Sequence, residues 1–303
     1  MTALSRSSFL RGAGAASLAL TAPEIFARPM TGRHLQRPVP RLGISIPALG
    51  MGTYQTFDTT SQADQTRLME VLDIFYEAGG RVLDSSPMYG RAEAVVGELT
   101  ARTPRRDYYL ATKVWTRGRQ AGIEQMRDSL RLMRTPAMDV MQIHNLVDWR
   151  THIKTLRAWK DSGRIKAIGI THYVPSAFDE LIKIIRQEEI DFVQLPYSIA
   201  LRDAERRLLP VARERRTATI INRPFEGGSL FRQTRDRPLP AFARDLGCES
   251  WSNVFLKFIL SHPDVTCAIP ATSKPRHARD NMRAAFGPLP TTRDRERLAR
   301  LVR

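Results

Sequence analysis

Residues 81–90 read R-V-L-D-S-S-P-M-Y-G and contain an apolar strand that ends in a carboxylate. Val82 and Leu83 have the aliphatic character of a buried strand. Asp84 then stands where a third apolar residue would serve the core, and Tyr89 follows on the loop behind it. In parallel α/β barrels, chemistry is placed at the carboxyl ends of the strands. The stretch therefore predicts a strand whose last residue has a role beyond packing.

Similar apolar runs recur about every 30 residues, which is the length of one βα unit. They lie near residues 51, 83, 111, 142, 168, 193, 220 and 268, and the last interval is longer than the others. Eight strands that alternate with helices predict an α/β protein with a (β/α)8 TIM barrel. An open doubly wound sheet is the alternative topology, but no G-x-G-x-x-G follows any early strand, which favours the barrel.

The segments between the runs have helical periodicity. Residues 62–80 place four apolar side chains on one helical face before a Gly-Gly stop, namely Leu68, Val71, Leu72 and Phe75. Ahead of the first run, prolines and glycines punctuate alternating apolar residues, which predicts a short N-terminal β-hairpin. We therefore expect one barrel domain over residues 38–303.

Polar residues end three consecutive predicted strands. Asp84 ends the second, Lys113 the third and His144 the fourth. Taken singly, each has an ordinary explanation: a helix cap, a surface lysine or a histidine satisfied within the core. A barrel instead gathers all three around one mouth, with Tyr89 on the loop above them. Their joint placement favours a functional interpretation.

These four side chains form a coherent proton relay. A tyrosine hydroxyl has a pKa near 10 and is a poor acid at neutral pH, but a neighbouring ammonium lowers that pKa. A carboxylate paired to the lysine keeps the ammonium charged and in place, and a histidine beside the phenol can orient a carbonyl oxygen. The set predicts protonation of an oxygen that becomes an alkoxide when hydride is delivered to carbon.

From about residue 38 to residue 300 the chain resembles an aldo/keto reductase, because D-S-S-P-M-Y-G, A-T-K-V and Q-I-H-N match the family's motifs in order and spacing. The resemblance implies that Tyr89 is the general acid, Lys113 tunes it, Asp84 holds Lys113 and His144 positions the carbonyl. It also implies an NADP-dependent oxidoreductase that reduces an aldehyde or ketone to an alcohol. The alternative is a cofactor-binding regulatory or sensor subunit on the same barrel with little turnover; the complete tetrad favours the enzyme.

The resemblance also implies where NADP would bind, and it leaves NAD possible. On the nicotinamide side the matching residues are Gly52, Thr53, Thr171, His172 and Gln194. At the pyrophosphate loop they are Gly228, Ser229 and Leu230, and around the adenosine phosphate they are Thr272, Ser273, Lys274, His277, Asp280 and Asn281. Cationic groups near the ribose favour NADP over NAD.

The cofactor pattern departs from the family in two places. Around the adenosine phosphate, Ala271 stands where the family usually has a lysine, and His277 where it usually has an arginine. Where the family has an aromatic residue that stacks on the nicotinamide, this chain has I-N-R-P-F, with Asn222 at that position and Arg223 next to it. The guanidinium of Arg223 or the ring of Phe225 could take the stacking role.

On the substrate side, Tyr54 and Trp115 are expected to wall the pocket. The family's long C-terminal loop has no counterpart after residue 281, which implies an open pocket for small carbonyl compounds.

Composition limits the possible partners. The formal net charge of the 303 residues is +16, but the arginines are scattered along the whole chain without a basic block, so no nucleic-acid partner is expected. The two cysteines, Cys248 and Cys267, make no metal-ligand pattern, and we expect no metal and a monomeric protein.

Residues 1–30 have the layout of an export signal. Arg6 and Arg11 precede a Gly/Ala/Leu run, and Ala27 is a possible cleavage point. The run is too short and too weakly apolar for a membrane span. The segment resembles a twin-arginine signal in which Ser7 stands at the position of the second arginine. It predicts a periplasmic protein; a disordered tail on a cytoplasmic protein is the alternative.

Overall fold

The computed structural model describes residue 30, residues 32–104 and residues 106–302. The predicted export segment, apart from Met30, lies outside the described residues. The strands are β1 (Gln36–Val39), β2 (Ile44–Pro47), β3 (Met51–Gly52), β4 (Val82–Asp84), β5 (Tyr109–Val114), β6 (Met138–His144), β7 (Ile165–Thr171), β8 (Phe192–Pro196), β9 (Ala218–Asn222) and β10 (Cys267–Ala268).

The helices follow these strands along the chain. They are α1 (Gln62–Glu77), α2 (Ala92–Ala101), α3 (Arg119–Leu132), α4 (Trp149–Asp161), α5 (Phe178–Gln187), α6 (Asp203–Arg206), α7 (Leu208–Glu214), α8 (Ser229–Thr234), α9 (Ala241–Asp245), α10 (Trp251–Leu260), α11 (Pro275–Arg283) and α12 (Thr292–Arg300). Three of them, α8 to α10, lie between β9 and β10, and this explains why the last interval between apolar runs is long.

Strands β3 to β10 form one parallel eight-stranded sheet in which each strand pairs with its neighbour in sequence. Two parallel bridges, Leu49 with Ala268 and Gly52 with Ala271, join the first strand to the last. Sequential order and closure are the properties of a (β/α)8 barrel, so that prediction is confirmed and the doubly wound alternative is wrong.

Helix α1 shows why the sequence pattern was informative. Ser61 caps it by accepting a hydrogen bond from the backbone of Asp64, and Leu68, Val71, Leu72 and Phe75 are its buried residues. The chain leaves the helix through Gly79 at a φ of 89°, a left-handed conformation that glycine adopts without steric cost.

The predicted hairpin is present as the antiparallel pair β1–β2. Val39 and Ile46 on this hairpin are buried in one apolar cluster with Val82, Val140 and Ala218, which lie in the amino-terminal halves of barrel strands or at their first residue. The hairpin therefore packs across the amino-terminal end of the barrel, and the carboxyl ends of the strands are at the opposite end. No helix among the described residues is long and apolar enough to cross a membrane.

Candidate active site

A buried ion pair lies at the carboxyl ends of β4 and β5. Nζ of Lys113 is 2.6 Å from Oδ2 of Asp84 and 2.6 Å from the backbone carbonyl oxygen of Ser85. Burial acts to lower the pKa of Lys113, but the charge of Asp84 and the neighbouring Tyr89 outweigh it and raise that pKa. Lys113 is therefore a fixed ammonium at neutral pH.

Two amides complete the coordination of Asp84. Nε2 of Gln142 and Nε2 of Gln194 donate to Oδ1 of Asp84 at 2.9 and 2.8 Å. Because a carboxylate only accepts hydrogen bonds, both amide nitrogens must face it. Sequence reasoning missed Gln142, although strand alternation places it on the same face of β6 as His144.

Tyr89 lies beside this pair. The centroid of its ring is 5.0 Å from Nζ of Lys113, 5.0 Å from the ring of Tyr54 and 5.9 Å from the ring of His144. Burial raises the pKa of Tyr89, and Lys113 opposes this increase without cancelling it. Lysine acts in the expected direction, but the net direction is upward because desolvation of the phenolate is the larger effect. The phenol is therefore protonated at neutral pH.

His144 is neutral and held by a hydroxyl. Burial and the charge of Lys113 lower the pKa of His144 to about 3. Nδ1 of His144 is 2.9 Å from Oγ of Ser86, which also accepts from the backbone N–H of Met88 at 3.4 Å. A Ser86 hydroxyl that accepts from Met88 can donate its own proton to Nδ1, and in that arrangement the imidazole carries its proton on Nε2. Ser86 is a second residue that was not predicted from the sequence.

The predicted nicotinamide-side residues join the same network. Oε1 of Gln194 accepts from Oγ1 of Thr171 at 3.2 Å and from Nδ2 of Asn222 at 3.4 Å. Nδ2 of Asn222 also donates to the carbonyl oxygen of His172 at 3.2 Å. Asn222 Oδ1 is buried and has no hydrogen-bond partner among the described residues.

The first barrel strand brings two further predicted residues to this end. Gly52 pairs with Asp84 in the β3–β4 register. Oγ1 of Thr53 is fully buried and lies 3.0 Å from both the carbonyl oxygen of Asp84 and Oγ of Ser85. Thr53 thus supports the loop that follows Asp84.

The loop after β9 is divided between surface and core. Arg223 is exposed, whereas Leu230 is fully buried in the hydrophobic core. Phe225 packs against Phe231, with ring centroids 4.8 Å apart. Gly228 has a φ of 89° and is the N-cap residue of α8, which begins at Ser229. The side chain of Leu230 lies in the core, so Leu230 can contribute only its backbone to a ligand at the mouth, whereas the ring of Phe225 is half-buried.

The predicted adenosine-side residues lie at and within α11. Lys274 and His277 are exposed, Ser273 is half-buried, and Oγ1 of Thr272 accepts from the backbone of Lys274 at 3.1 Å. Asp280 and Asn281 instead contact α10: Ser250 donates to Oδ2 of Asp280 at 2.7 Å, and Ser252 donates to Oδ1 of Asn281. Their side chains therefore fasten α11 to α10.

The two predicted substrate residues are exposed aromatic rings beside the relay. Tyr54 and Trp115 are 51% and 42% exposed, and the ring of Trp115 is 6.3 Å from that of His144. Tyr173, which was not predicted from the sequence, is stacked on His172 with ring centroids 5.4 Å apart. Two surface cavities of about 400 and 530 Å³ elsewhere contain none of the four tetrad residues.

Comparison with known proteins supports the family assignment. The Aldo/keto reductase family model matches residues 48–296. The chain is 26% identical over 247 residues to methylglyoxal reductase YeaE of Escherichia coli, a match that covers 78% of this chain and 85% of that protein. It is 25% identical over 196 residues to aldo-keto reductase YhdN of Bacillus subtilis, and this match spans only 58% of the length of that relative.

Solved structures agree with the barrel. The aldo-keto reductase from Klebsiella pneumoniae in complex with NADPH superposes with a TM-score of 0.75 at 22% identity, covering 90% of this chain and 96% of that one. The holo form of an aldo-keto reductase from Bacillus halodurans gives a TM-score of 0.73 at 23% identity, covering 89% and 97%. At such identities the likeness concerns the fold alone. On the match of the family model to residues 48–296, the chain belongs to the aldo/keto reductase family.

Proposed function

We propose that the protein is an NADP-dependent carbonyl reductase that converts an aldehyde or a ketone to an alcohol. The observation that carries this proposal is the buried Lys113–Asp84 pair with Tyr89 and His144 beside it at one end of the barrel. The two charged side chains are only 0% and 2% exposed. Removing such charges from water is unfavourable, and apolar residues would fill a purely structural role at a lower free-energy cost.

The mechanism assigns one task to each tetrad residue. When bound, a reduced nicotinamide supplies the hydride that adds to the carbonyl carbon. Tyr89 donates its phenolic proton to the carbonyl oxygen as negative charge develops there. The ammonium of Lys113 stabilises the resulting phenolate, and Asp84 keeps that ammonium in place. Neutral His144 donates its Nε2 hydrogen to the same oxygen and orients it.

The residues at the mouth fit a nicotinamide dinucleotide. The unpartnered Oδ1 of Asn222 offers an acceptor for a carboxamide N–H. His172 and Gln194 each hydrogen-bond to Asn222. Thr171 hydrogen-bonds to Gln194. The remaining binding residues are proposed from the family motif: Gly52, Thr53, Arg223, Phe225, Gly228, Ser229, Leu230, Thr272, Ser273, Lys274, His277, Asp280 and Asn281. Neighbours of this fold crystallised with NADP or NADPH support the same cofactor.

The experiment is a binding and turnover series on purified protein. NADPH binding is followed by fluorescence, and NADPH oxidation is followed with a panel of aldehydes and ketones, for wild type and Tyr89→Phe. We expect the variant to lose kcat by roughly 10²- to 10⁴-fold while its Kd for NADPH stays unchanged, because only proton donation is removed. Tight binding without turnover of any carbonyl by the wild type would indicate the sensor function instead. Equal kcat for the two proteins would contradict the role of Tyr89.

We further propose that residues 1–30 direct export to the periplasm and that residues 38–303 act there as a monomeric barrel. The support is the signal-like layout around Arg6, Arg11 and Ala27. Mass spectrometry of the protein from the periplasmic fraction tests this, because cleavage removes about 27 residues from the amino terminus. A full-length chain found only in the cytoplasm contradicts export, and sedimentation of the purified protein measures the oligomeric state.

A further inference from the structure

Gln142 is one of the two glutamines that bond to Asp84, and hydrogen bonds at both ends of its amide fix the orientation of that amide. Its Nε2 donates to Oδ1 of Asp84 at 2.9 Å, and its Oε1 accepts from Nε2 of Gln194 at 3.3 Å. Gln142 is fully buried, so neither end has water as an alternative partner. Removing the amide would leave a buried carboxylate with one charge-assisted hydrogen bond fewer.

The barrel makes specific room for this side chain. Gln142 on β6 pairs with Lys113 on β5 and with Gly169 on β7. A Cβ atom at position 169 would lie 2.6 Å from Cγ of Gln142, which is closer than real Cβ contacts come. Glycine at 169 therefore leaves the space in which Gln142 extends towards Asp84. This packing relationship is independent of the hydrogen bonds.

We propose that Gln142 is a positioning residue for carbonyl reduction, which fixes Asp84 and, through it, holds Lys113 at a set distance from Tyr89. The proposal rests on the proposed reductase function. The side chain of Gln142 hydrogen-bonds to Asp84 and to Gln194, so its polar link to Lys113 and Tyr89 runs through the carboxylate of Asp84. Misplacement of a catalytic group by a fraction of its contact distance is enough to reduce a rate strongly.

The electrostatic consequence falls on Tyr89. The titratable groups that face its ring are Lys113, Asp84, Tyr54 and His144. Burial raises the pKa of Tyr89, and Lys113 is the group that opposes this. If Asp84 loses an anchor and Lys113 moves away, the phenol should titrate at a higher pH than in the wild type.

Gln142→Met removes the amide at nearly constant volume and tests this role. We expect kcat to fall roughly 10- to 100-fold with KM and the Kd for NADPH unchanged within about twofold. In the cofactor-free protein, ultraviolet titration against the matching Tyr89→Phe background should show the Tyr89 phenol shifted to higher pH. The matched control is Gln120→Met, since Gln120 is exposed on α3 and its side chain, among the described residues, bonds to Glu124 alone. It should change none of these quantities.

Gly169→Ala provides a second route to the same answer, because it crowds Gln142 while every polar group is retained. Circular dichroism establishes whether each variant folds. If Gln142→Met is unfolded, Gly169→Ala decides: a loss of kcat at constant KM supports the proposal, and a kcat equal to that of wild type overturns it. Wild-type kcat in folded Gln142→Met also overturns it.

Failure of the reductase function is distinguishable from failure of this inference. If the wild type reduces no carbonyl compound, the proposed function falls, but the titration of Tyr89 needs no turnover. A shifted titration in Gln142→Met then still supports the positioning of Lys113 by Gln142. An unshifted titration contradicts that positioning, whatever the activity of the wild type.

Discussion

Nζ of Lys113 lies 2.6 Å from Oδ2 of Asp84, and the two side chains are 0% and 2% exposed. One buried charge is thus balanced by one other charge, supplemented by the carbonyl oxygen of Ser85 on the ammonium and by two amides on the carboxylate. The pair is satisfied on every side, which makes it rigid. It also makes the site intolerant of losing either partner, because the remaining charge would be buried without compensation.

Asp84→Asn should therefore destabilise the protein as well as inactivate it. We expect a loss of about 3–5 kcal/mol in the free energy of unfolding, the usual cost of breaking a buried pair from one side. Urea unfolding at pH 7 measures it. Lys113→Met in the Asp84→Asn background should recover part of this loss, because the unpaired ammonium is removed. If the double variant loses as much free energy of unfolding as the two single variants together, the pair does not behave as one buried unit.

Ser86→Ala should lower kcat without weakening NADPH binding. The hydroxyl of Ser86 is 2.9 Å from Nδ1 of His144, where it can donate to that nitrogen and leave the ring proton on Nε2. Without it the imidazole is free to change tautomer or rotate, and we expect roughly a tenfold decrease in kcat. Ser162→Ala is the control, since the Ser162 hydroxyl donates to the carbonyl oxygen of Trp159 at the end of α4 and has no other partner in the described part of the chain. An unchanged kcat for Ser86→Ala would show that His144 is oriented by other contacts.

The barrel and the tetrad could be predicted because both follow from periodicity. Apolar runs at the βα interval predict strands, and polar residues at the ends of these strands predict one mouth. Gln142 and Ser86 were missed for a different reason. The role of Gln142 depends on Gly169 leaving room on the next strand, and that of Ser86 on the side chain of His144 reaching across from β6. Periodicity in one strand does not reveal such contacts between strands.

A motif match also identifies a position without the direction of its side chain. Leu230 and Phe225 match the cofactor loop in sequence, but packing directs Leu230 into the core and Phe225 onto Phe231. Asp280 matches an adenine-binding position, and its carboxylate accepts a hydrogen bond from Ser250. Burial raises the pKa of Asp280, which its neighbours partly oppose. Direction is set by tertiary packing, which local sequence does not determine.

The exposed cations at the start of α11 should discriminate between NADPH and NADH. Lys274 and Arg276 are exposed there, and no acidic residue lies in the first turn of the helix. Lys274→Met with Arg276→Met should raise the Kd for NADPH by roughly tenfold or more, because a 2′-phosphate loses two charged partners. The Kd for NADH should stay within about twofold. Fluorescence titration at two salt concentrations measures both; an equal weakening of the two cofactors would mean that these residues do not read the phosphate.

His34 should make the fold less stable as the pH falls, far from the candidate active site. Nδ1 of His34 donates to the carbonyl oxygen of Leu35 at 2.9 Å, and its buried Nε2 has no partner among the described residues. Burial lowers the pKa of His34 to about 4 in the folded protein. In the unfolded chain this imidazole has a pKa near 6.5, so it binds a proton there at a pH at which the folded protein leaves it neutral. Unfolding therefore takes up a proton between about pH 6.5 and 4, and stability decreases over that interval by roughly 3 kcal/mol for this residue.

His34→Phe isolates this contribution from those of the other histidines. A phenylalanine keeps the edge contact that His34 makes with Phe286, at 5.6 Å between ring centroids. The carbonyl oxygen of Leu35 keeps its bond from the backbone N–H of Ala48 at 2.8 Å, so the substitution leaves that acceptor satisfied. The free energy of unfolding of both proteins is measured in urea at pH 7, 5.5 and 4. As the pH falls, we expect this free energy to change in favour of the variant relative to the wild type. A constant difference would mean that His34 accepts its second proton in the folded protein as readily as in the unfolded chain.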